Sequence, residues 1–387
     1  MPSPFNPANM AGMRADIVIV GAGIIGAALA AELSRERTGV LLLDRQKPAS
    51  EATWAAAGML APTPEASDPA AMGPLARASL ELYPAFVEQV EAESGIRVGF
   101  QRSGALLAFF EPSAEHELTA YQARLARIDF ACQLLTGEEV RLREPRLNPA
   151  VAAGLWLGGE ASVDNRTLGR AVVLAAQRRG AVLRSGVEVT GVLLDGHRCL
   201  GVMAGGEKIT AGHVVIAAGC YSARIEGAGR YAPTRPVRGQ MVALDAGIAR
   251  PASVVRSERG YLVPREDGRV LAGSTLEEAG YDKNQTPQGL RRILDAAVEM
   301  VPPLDSAPIL ETWSGLRPDT PDHLPILGPT EIEGLSIATG HYRNGILLAP
   351  ITARLGRQWL LGQKTDLSLD AFRPHRFAGS APTRAHS

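Results

Sequence analysis

The chain has 387 residues, of which 45% are hydrophobic and 21% are charged, and its formal net charge is −1. This length and composition exclude a disordered chain and predict a globular protein with two domains. The balanced charge and the absence of long charge runs exclude electrostatic binding to nucleic acid or to an anionic membrane surface, so a small ligand is predicted.

The cysteines and the apolar stretches limit the cellular setting. Cys132, Cys199 and Cys220 lie far apart without a C-x-x-C pair, which indicates neither a disulfide framework nor a metal cluster and fits a reducing cytoplasm. Residues 1–14 lack the apolar core of a signal peptide and are predicted to form a flexible tail. The longest apolar stretch, residues 17–31, is too short to span a membrane. We therefore expect a cytoplasmic protein.

The first predicted element is a strand, residues 15–20, followed by the glycine-rich turn Gly21-Ala-Gly23-Ile-Ile-Gly26 and a helix. In this pattern Gly21 permits the tight turn, Gly23 lets a pyrophosphate approach the backbone, and Gly26 lets the helix pack on the strand. The diphosphate is expected at the helix N-terminus, where free N–H groups attract it. The pattern predicts a dinucleotide-binding fold, and a tight turn between packed elements is the alternative.

Three later features bear on the identity of the dinucleotide. The second predicted strand, Val40–Asp44, ends in an acid placed to bind a ribose diol, although the acid could also be a solvated strand end. Residues 49–60 are rich in small side chains, which favours the longer FAD over NAD; an Ala-rich helix is the alternative. A buried strand over residues 213–219 is expected to return beneath the cofactor, or it could be any central strand.

A β-hairpin is predicted on either side of Asp267-Gly268. Counting outward from this turn pairs Tyr261 with Ser274 and Arg259 with Leu276, and places all four side chains on one face. Such a wall carries a phenol, a cation and an apolar side chain, which suits a small amphoteric substrate. An ordinary half-buried hairpin would have a similar face.

Arg317 is predicted to lie on a rigid loop, because proline follows it directly and again three residues later. An arginine held in this way is suited to bind a carboxylate through two hydrogen bonds. It could equally stabilise the loop by binding backbone carbonyl groups.

The segment GHYRNGILLAP, residues 340–350, joins a predicted strand over residues 335–339 to a helix predicted to begin near Ala349, with Pro350 in its first turn. Its polar residues lie between a strand end and a helix N-terminus, where backbone N–H groups and partial positive charge would stabilise a reduced flavin. The segment is therefore predicted to cradle a flavin, and a polar loop with satisfied side chains is the alternative.

Taken together, these stretches resemble the D-amino acid oxidase family of FAD-dependent amine oxidases, and within it the glycine oxidases. The resemblance covers Asp16 to about Leu361 and rests on GAGIIG, AAAGML, YLVPR, GLRPDTPDHLPILGP and GHYRNGILLAP. It implies an α/β protein with a GR2-like, discontinuous FAD-binding dinucleotide fold and a second, α+β substrate domain built on an antiparallel sheet. The FAD domain is predicted to comprise residues 15–90, 161–225 and 326–365, the substrate domain residues 91–160 and 226–325, and a C-terminal tail residues 366–387.

The resemblance also implies the site residues. Arg317 binds the substrate carboxylate, Tyr261 assists it and Arg343 faces the substrate, with Met59, Arg259 and Leu276 completing the substrate-binding set. Glycine oxidases have His and Met where this chain has Arg259 and Leu276. No general base and no metal ligand is predicted. The predicted FAD-binding residues are Gly21, Gly23, Ile24, Ile25, Gly26, Asp44, Arg45, Ala52, Thr53, Ala57, Gly58, Met59, Val189, Gly219, His341, Tyr342, Arg343, Asn344, Gly345, Ile346 and Leu347.

The implied reaction is oxidation of glycine, other small amines or D-amino acids to the imine, giving glyoxylate or another 2-oxo acid, ammonia and hydrogen peroxide from dioxygen. By resemblance it feeds thiazole synthesis for thiamine, with thiazole synthase as a partner, and the protein forms a homo-oligomer. Non-covalent FAD is expected, because the last cysteine, Cys220, precedes the predicted cradle. The alternatives are a D-amino acid dehydrogenase, a sarcosine oxidase-like enzyme, a flavin-binding subunit without turnover and an NAD-dependent dehydrogenase.

Overall fold

A computed structural model describes residues 14–36, 38–62, 69–111 and 115–377, so the predicted N-terminal tail lies outside these ranges apart from Arg14. The strands are β1 (Arg14–Val20), β2 (Val40–Asp44), β3 (Met59–Leu60), β4 (Ala105–Phe109), β5 (Gln133–Thr136), β6 (Ala153–Leu157), β7 (Ala161–Ser162), β8 (Val182–Ser185), β9 (Val189–Asp195), β10 (Arg198–Ala204), β11 (Glu207–Ile216), β12 (Arg235–Asp245), β13 (Val254–Arg256), β14 (Tyr261–Pro264), β15 (Arg269–Gly273), β16 (Ile309–Asp319), β17 (Ile326–Pro329) and β18 (Leu335–Thr339). The α-helices are α1 (Ile24–Ser34), α2 (Ala52–Ala55), α3 (Pro69–Ser94), α4 (Glu115–Arg127), α5 (Gly137–Arg143), α6 (Asn165–Arg178), α7 (Pro287–Met300) and α8 (Gly345–Leu360). Within the described ranges, no helix combines the length and the apolar character needed to cross a bilayer.

The first sheet carries the glycine-rich turn. Its strand order is β17-β18-β11-β1-β2-β8, with β10 and β9 added beside β11. β1 runs parallel to both β2 and β11, and α1 packs against α6 and α8 on the sheet. Ile19, Leu29 and Leu42 are almost completely buried in this core, as expected for parallel strands covered by helices. The predicted α/β fold is confirmed.

The second sheet has the order β16-β12-β15-β14-β13-β4-β6-β5 and takes strands from two separate parts of the chain. Its neighbouring strands are antiparallel except for β13 and β4, which run parallel. The predicted antiparallel sheet is therefore present, with one parallel junction between β13 and β4. The reason is that β4 is not joined to β13 by a hairpin, so no tight turn dictates its direction.

Residues 366–377 do not form the predicted tail. Two short 3₁₀ helices, Asp370–Phe372 and Pro374–Phe377, follow α8. Leu369 and Phe372 are buried in the core of the first sheet. Arg376 is anchored to Asp322, with 2.8 Å between its Nε and the carboxylate Oδ2. The prediction overlooked the apolar side chains in this segment, whose burial fixes it to the domain.

Candidate active site

The turn between β1 and α1 has the packing that a dinucleotide fold requires. Gly21 has φ +107°, and a Cβ there would lie 2.4 Å from the carbonyl oxygen of Ala217, the residue after β11. A Cβ on Gly26 would lie 1.9 Å from the carbonyl oxygen of Gly21. At Gly23 the nearest atom to a Cβ would be Thr53 Oγ1, at 3.4 Å. Gly23 also lines the cavity described below, so the amino end of α1 borders a space where an anionic diphosphate fits.

Asp44 lies at the end of β2 beside this turn. Its Oδ2 accepts a hydrogen bond from the Ala22 N–H at 2.7 Å, and its Oδ1 accepts one from the Gln46 N–H at 2.8 Å. Burial raises the pKa of Asp44, against the opposing effect of these hydrogen bonds. Each carboxylate oxygen keeps a further lone pair. The side chain is thus fixed in place and can accept hydrogen bonds from a ribose.

Sequence reasoning missed a group of side chains next to Arg45. The Arg45 guanidinium lies over the Tyr221 ring, 3.5 Å from its centroid, and Arg45 Nη2 lies 3.1 Å from Glu51 Oε1. Glu51 Oε2 in turn lies 2.6 Å from Lys283 Nζ, in the segment between β15 and α7. Tyr221 follows the predicted Gly219 by two residues, but no local pattern connects it with Arg45. These contacts join the segment between β2 and α2 to the segments that follow β11 and β15.

A cavity of about 420 Å³ opens between the glycine-rich turn and the second sheet. The predicted FAD-binding residues that line it are Gly21, Gly23, Ile24, Ile25, Asp44, Arg45, Ala52, Thr53, Ala57, Gly58, Met59, Val189, Gly219, His341, Tyr342, Arg343, Gly345 and Ile346. Three others do not line it: Gly26 packs beneath Gly21, Leu347 is buried in the core, and Asn344 lines a second cavity.

The wall of this cavity fits a dinucleotide. Gly219 has φ +57° and nothing within 4 Å of the position of a Cβ, so its backbone borders empty space. Ile24 at the start of α1 donates its N–H to Thr53 Oγ1 at 2.9 Å, which orders the small-residue segment against the turn. The small-residue segment, residues 49–60, has only one helical turn, α2, before its backbone becomes extended at β3. The alternative prediction of an Ala-rich helix over this segment is therefore excluded.

The loop between β18 and α8 is held from both sides. His341 is buried, with its Nε2 3.0 Å from Thr352 Oγ1 in α8, and burial lowers the pKa of His341 to about 3. Tyr342 has φ +47°, donates its N–H to the Pro318 oxygen at 2.9 Å, and stacks on His323 with 5.3 Å between ring centroids. His341 is therefore neutral at neutral pH and fixes the loop that borders the cavity.

The start of α8 differs from the prediction. The helix begins at Gly345 rather than near Ala349, so Pro350 lies inside it. Proline has no N–H, which leaves the Ile346 carbonyl without its usual helical partner. The buried Tyr83 hydroxyl donates to that carbonyl at 2.9 Å instead. The prediction failed because this hydrogen bond comes from a distant helix, α3.

Arg317 lies on β16 and not on a loop. It pairs with Val237 of β12, and proline follows it without disrupting the sheet because β16 is an edge strand. The guanidinium donates to Ser274 Oγ at 2.7 Å and to the Thr275 carbonyl at 3.2 Å. A Cβ on Gly239 would lie 2.2 Å from Arg317 Nη1, so the guanidinium lies directly over this glycine.

Tyr261 lies beside Arg317 in the cavity wall, but the predicted register of its hairpin is off by one residue. Tyr261 pairs with Gly273, and the turn has three residues between Arg265 and Arg269 rather than two. The Tyr261 hydroxyl lies 3.3 Å from Met241 Sδ. Gly268, with φ +91°, allows the longer turn.

A second cavity, of about 560 Å³, adjoins the first. Met59, Tyr261 and Arg343 line both cavities, whereas Arg259 and Leu276 line the second one only. The side chains predicted to form one wall of the hairpin all border this second cavity: Tyr261, Ser274, Arg259 and Leu276. The register error does not separate them, because β15 ends at Gly273 and side chains beyond it no longer alternate between the two faces of the sheet.

Arg265 is a positioning residue that sequence reasoning did not assign. It is buried, and burial lowers the pKa of Arg265 to about 10, so it stays charged at neutral pH. Its Nη2 donates to the Ala57 carbonyl at 2.8 Å and to Asn165 Oδ1 at 3.1 Å. These bonds hold the segment that leads into Met59 against the hairpin. The hydrogen-bond partners lie far away in the chain, so no local signal could have revealed them.

The chain is similar in sequence and in fold to known proteins. A family described as FAD dependent oxidoreductase (DAO) matches residues 16–359. The chain is 36% identical to the bifunctional protein ThiO/ThiG of Trichormus variabilis over 97% of its own length and 57% of that protein, so it spans just over half of this relative. It is 34% identical to the glycine oxidase of Geobacillus kaustophilus over 95% of its length and 98% of the relative. The crystal structure of glycine oxidase from Geobacillus kaustophilus aligns with a TM-score of 0.89 at 33% identity, covering 94% of this chain and 99% of that one.

Proposed function

The chain belongs to the DAO family of FAD-dependent oxidoreductases, and on this basis we propose that it oxidises the amine group of small amino acids such as glycine. In balanced form, glycine, dioxygen and water give glyoxylate, ammonia and hydrogen peroxide. The relatives named glycine oxidase support this choice, since the chain covers almost their full length.

FAD is the cofactor of the family. Bound FAD supplies the electron acceptor for oxidation of the amine to the imine. The glycine-rich turn and the amino end of α1 would hold its diphosphate, and Asp44 would bind a ribose. The loop between β18 and α8 would hold its flavin end. We propose non-covalent attachment, because Cys220 borders the cavity but burial raises the pKa of its thiol to about 12, which suppresses the reactive thiolate.

The observation that carries the substrate assignment is the setting of Arg317. Two of its N–H groups are fixed by Ser274 and Thr275, and Gly239 lies beneath it, so the guanidinium has a defined orientation beside Tyr261. A charged arginine in such a setting binds a carboxylate with defined geometry. In the proposed reaction, Arg317 and Tyr261 orient the substrate carboxylate, so orientation of the substrate is the main contribution of the protein.

The proposed biological role is the supply of the oxidised glycine product to thiazole formation. The bifunctional ThiO/ThiG relatives support this role, because in them the matching segment is joined to a second protein part. Thiazole synthase is accordingly the proposed partner.

The first test is the visible spectrum of the purified protein before and after anaerobic addition of glycine. We expect flavin absorbance that bleaches with glycine, followed by oxygen consumption and hydrogen peroxide when air is admitted. Bleaching without oxygen consumption would indicate a dehydrogenase, and bleaching only with sarcosine would change the substrate. Flavin that no amine reduces would refute turnover, and a colourless protein would contradict FAD binding.

The second test concerns Arg317. Arg317→Met should lower kcat/KM for glycine at least about tenfold, because a charge-assisted hydrogen bond to the carboxylate is lost. The matched control is Arg170→Met, at an exposed arginine on α6 that borders neither cavity. An unchanged kcat/KM in Arg317→Met would remove Arg317 from the proposed site.

A further inference from the structure

The second cavity extends the proposed substrate site beyond what glycine requires. It holds about 560 Å³ and meets the first cavity at Met59, Tyr261 and Arg343. Tyr261 is one of the two residues proposed to orient the substrate carboxylate. Any group attached to the substrate on the side away from the first cavity would therefore enter this second cavity.

The wall of the second cavity is rich in positive charge. Arg124, Arg256, Arg259 and Arg343 line it, and Glu258 is the one carboxylate among the lining residues that the structure describes. A cavity with this excess of cations attracts anions and disfavours ligands that leave the charges without a counterion. A glycine molecule carries a single carboxylate, which the proposed site binds elsewhere.

Neighbouring carboxylates outside the lining balance only part of this charge. Both oxygens of the buried Glu160 bind Arg256 Nη2, at 2.8 and 2.9 Å, which ties Arg256 into the wall. Arg259 Nη1 lies 2.8 Å from Glu299 Oε2. With both pairs counted, the four arginines face three carboxylates among the residues that the structure describes. This described part of the wall therefore has an excess of one positive charge.

Arg124 and Arg259 are the side chains best placed to use this charge. In the described part of the chain, the Arg124 guanidinium packs over the Tyr121 ring, 4.9 Å from its centroid, and forms no ion pair. The Arg259 side chain is 55% exposed, and one of its five N–H groups is used by Glu299. Both guanidinium groups thus retain N–H groups for an anion that enters the cavity.

The same cavity has an apolar side. Leu107 and Phe109 of β4 border it, as does Leu276, whose side chain is half exposed. This combination suits a ligand with a short methylene chain that ends in an anionic group, because the chain contacts the apolar side chains and the anion meets the arginines.

From this arrangement we propose that the enzyme prefers amino acid substrates that carry a second carboxylate, with Arg259 and Arg124 as the residues that select it. The proposal rests on the proposed function, since it places the first carboxylate at Arg317 and Tyr261. The second carboxylate enters the cavity beyond Tyr261 and is bound there by guanidinium N–H groups. Neutral side chains of the same size lack this interaction.

The test compares acids with amides of the same shape. With the flavin-loaded enzyme, kcat/KM is measured for aspartate against asparagine and for glutamate against glutamine, each as both enantiomers. We expect at least one acid to exceed its amide about tenfold or more, and Arg259→Met and Arg124→Met to reduce this ratio. Arg170→Met should leave the ratio unchanged. Amides equal to or better than the acids in every pair would overturn the proposal.

A binding measurement separates this proposal from the proposed reaction. Succinate and succinamate are titrated into the flavin-loaded protein, and the perturbation of the flavin absorbance gives their Kd values without turnover. Succinate should bind about tenfold more tightly or better, and this preference should fall in Arg259→Met. Equal affinities would overturn the second-carboxylate site even if glycine is oxidised. A clear preference for succinate in a protein that oxidises no amine would support the anion site and refute only the reaction.

Discussion

The hydrogen bond from Tyr83 to the Ile346 carbonyl should be a major support of α8. The phenol is buried and lies 2.9 Å from that oxygen, and burial raises the pKa of Tyr83, so it stays protonated as a donor. Pro350 cannot donate to the same carbonyl because it has no N–H. Tyr83→Phe removes only the hydroxyl and deprives the buried carbonyl of this hydrogen bond.

The expected cost follows from this geometry. Loss of a hydrogen bond to a buried carbonyl costs about 1–3 kcal/mol. Tyr83→Phe should lower the free energy of unfolding by this amount, measured by urea unfolding with tryptophan fluorescence. Because α8 begins at the loop that borders the cavity, the apparent affinity for FAD should fall as well.

Pro350→Ala provides the control. An alanine at this position supplies a helical N–H to the Ile346 carbonyl, which then depends less on the hydroxyl of Tyr83. In the Pro350→Ala background, Tyr83→Phe should therefore cost about 1 kcal/mol or less. An equal cost of Tyr83→Phe in both backgrounds would refute the compensation between Tyr83 and Pro350.

Three further predictions concern the site itself. Gly239→Ala should lower kcat/KM for glycine at least about tenfold and leave the flavin content unchanged, because the new Cβ would lie 2.2 Å from Arg317 Nη1 and displace the guanidinium. A kcat/KM equal to that of the wild type would contradict the role of Gly239 in placing Arg317. As the pH is lowered from 6.5 to about 3, the free energy of unfolding should fall, because His341 takes up a proton over this range only in the unfolded state. In His341→Gln this fall should be smaller than in the wild type by at least about 1 kcal/mol. Equal falls in the two proteins would count against the prediction. Acid precipitation should release all flavin into the supernatant, whereas flavin retained in the pellet would indicate attachment at a residue such as Cys220.

The parts of the fold predicted well are those whose signals are local. β2 has the predicted bounds Val40–Asp44, and β18 has the predicted bounds Leu335–Thr339. Both are short apolar runs bounded by polar residues or glycine, so neighbouring residues suffice to identify them. The hairpin was found for the same reason, but its register depended on whether the turn held two residues or three, and only the position of Gly268 in the folded turn decided this.

The sequence by itself determined the glycine-rich turn and the acid that follows it, because spacing along the chain controls backbone geometry over a few residues. The tertiary structure alone decided where α8 begins, how Arg317 is held and that a second, positively charged cavity adjoins the first. Tyr83 and Ile346 are 263 residues apart, and the support of Arg317 by Gly239 and Ser274 likewise joins distant segments. Such contacts depend on how the sheets and helices pack, and local periodicity carries no information about that packing.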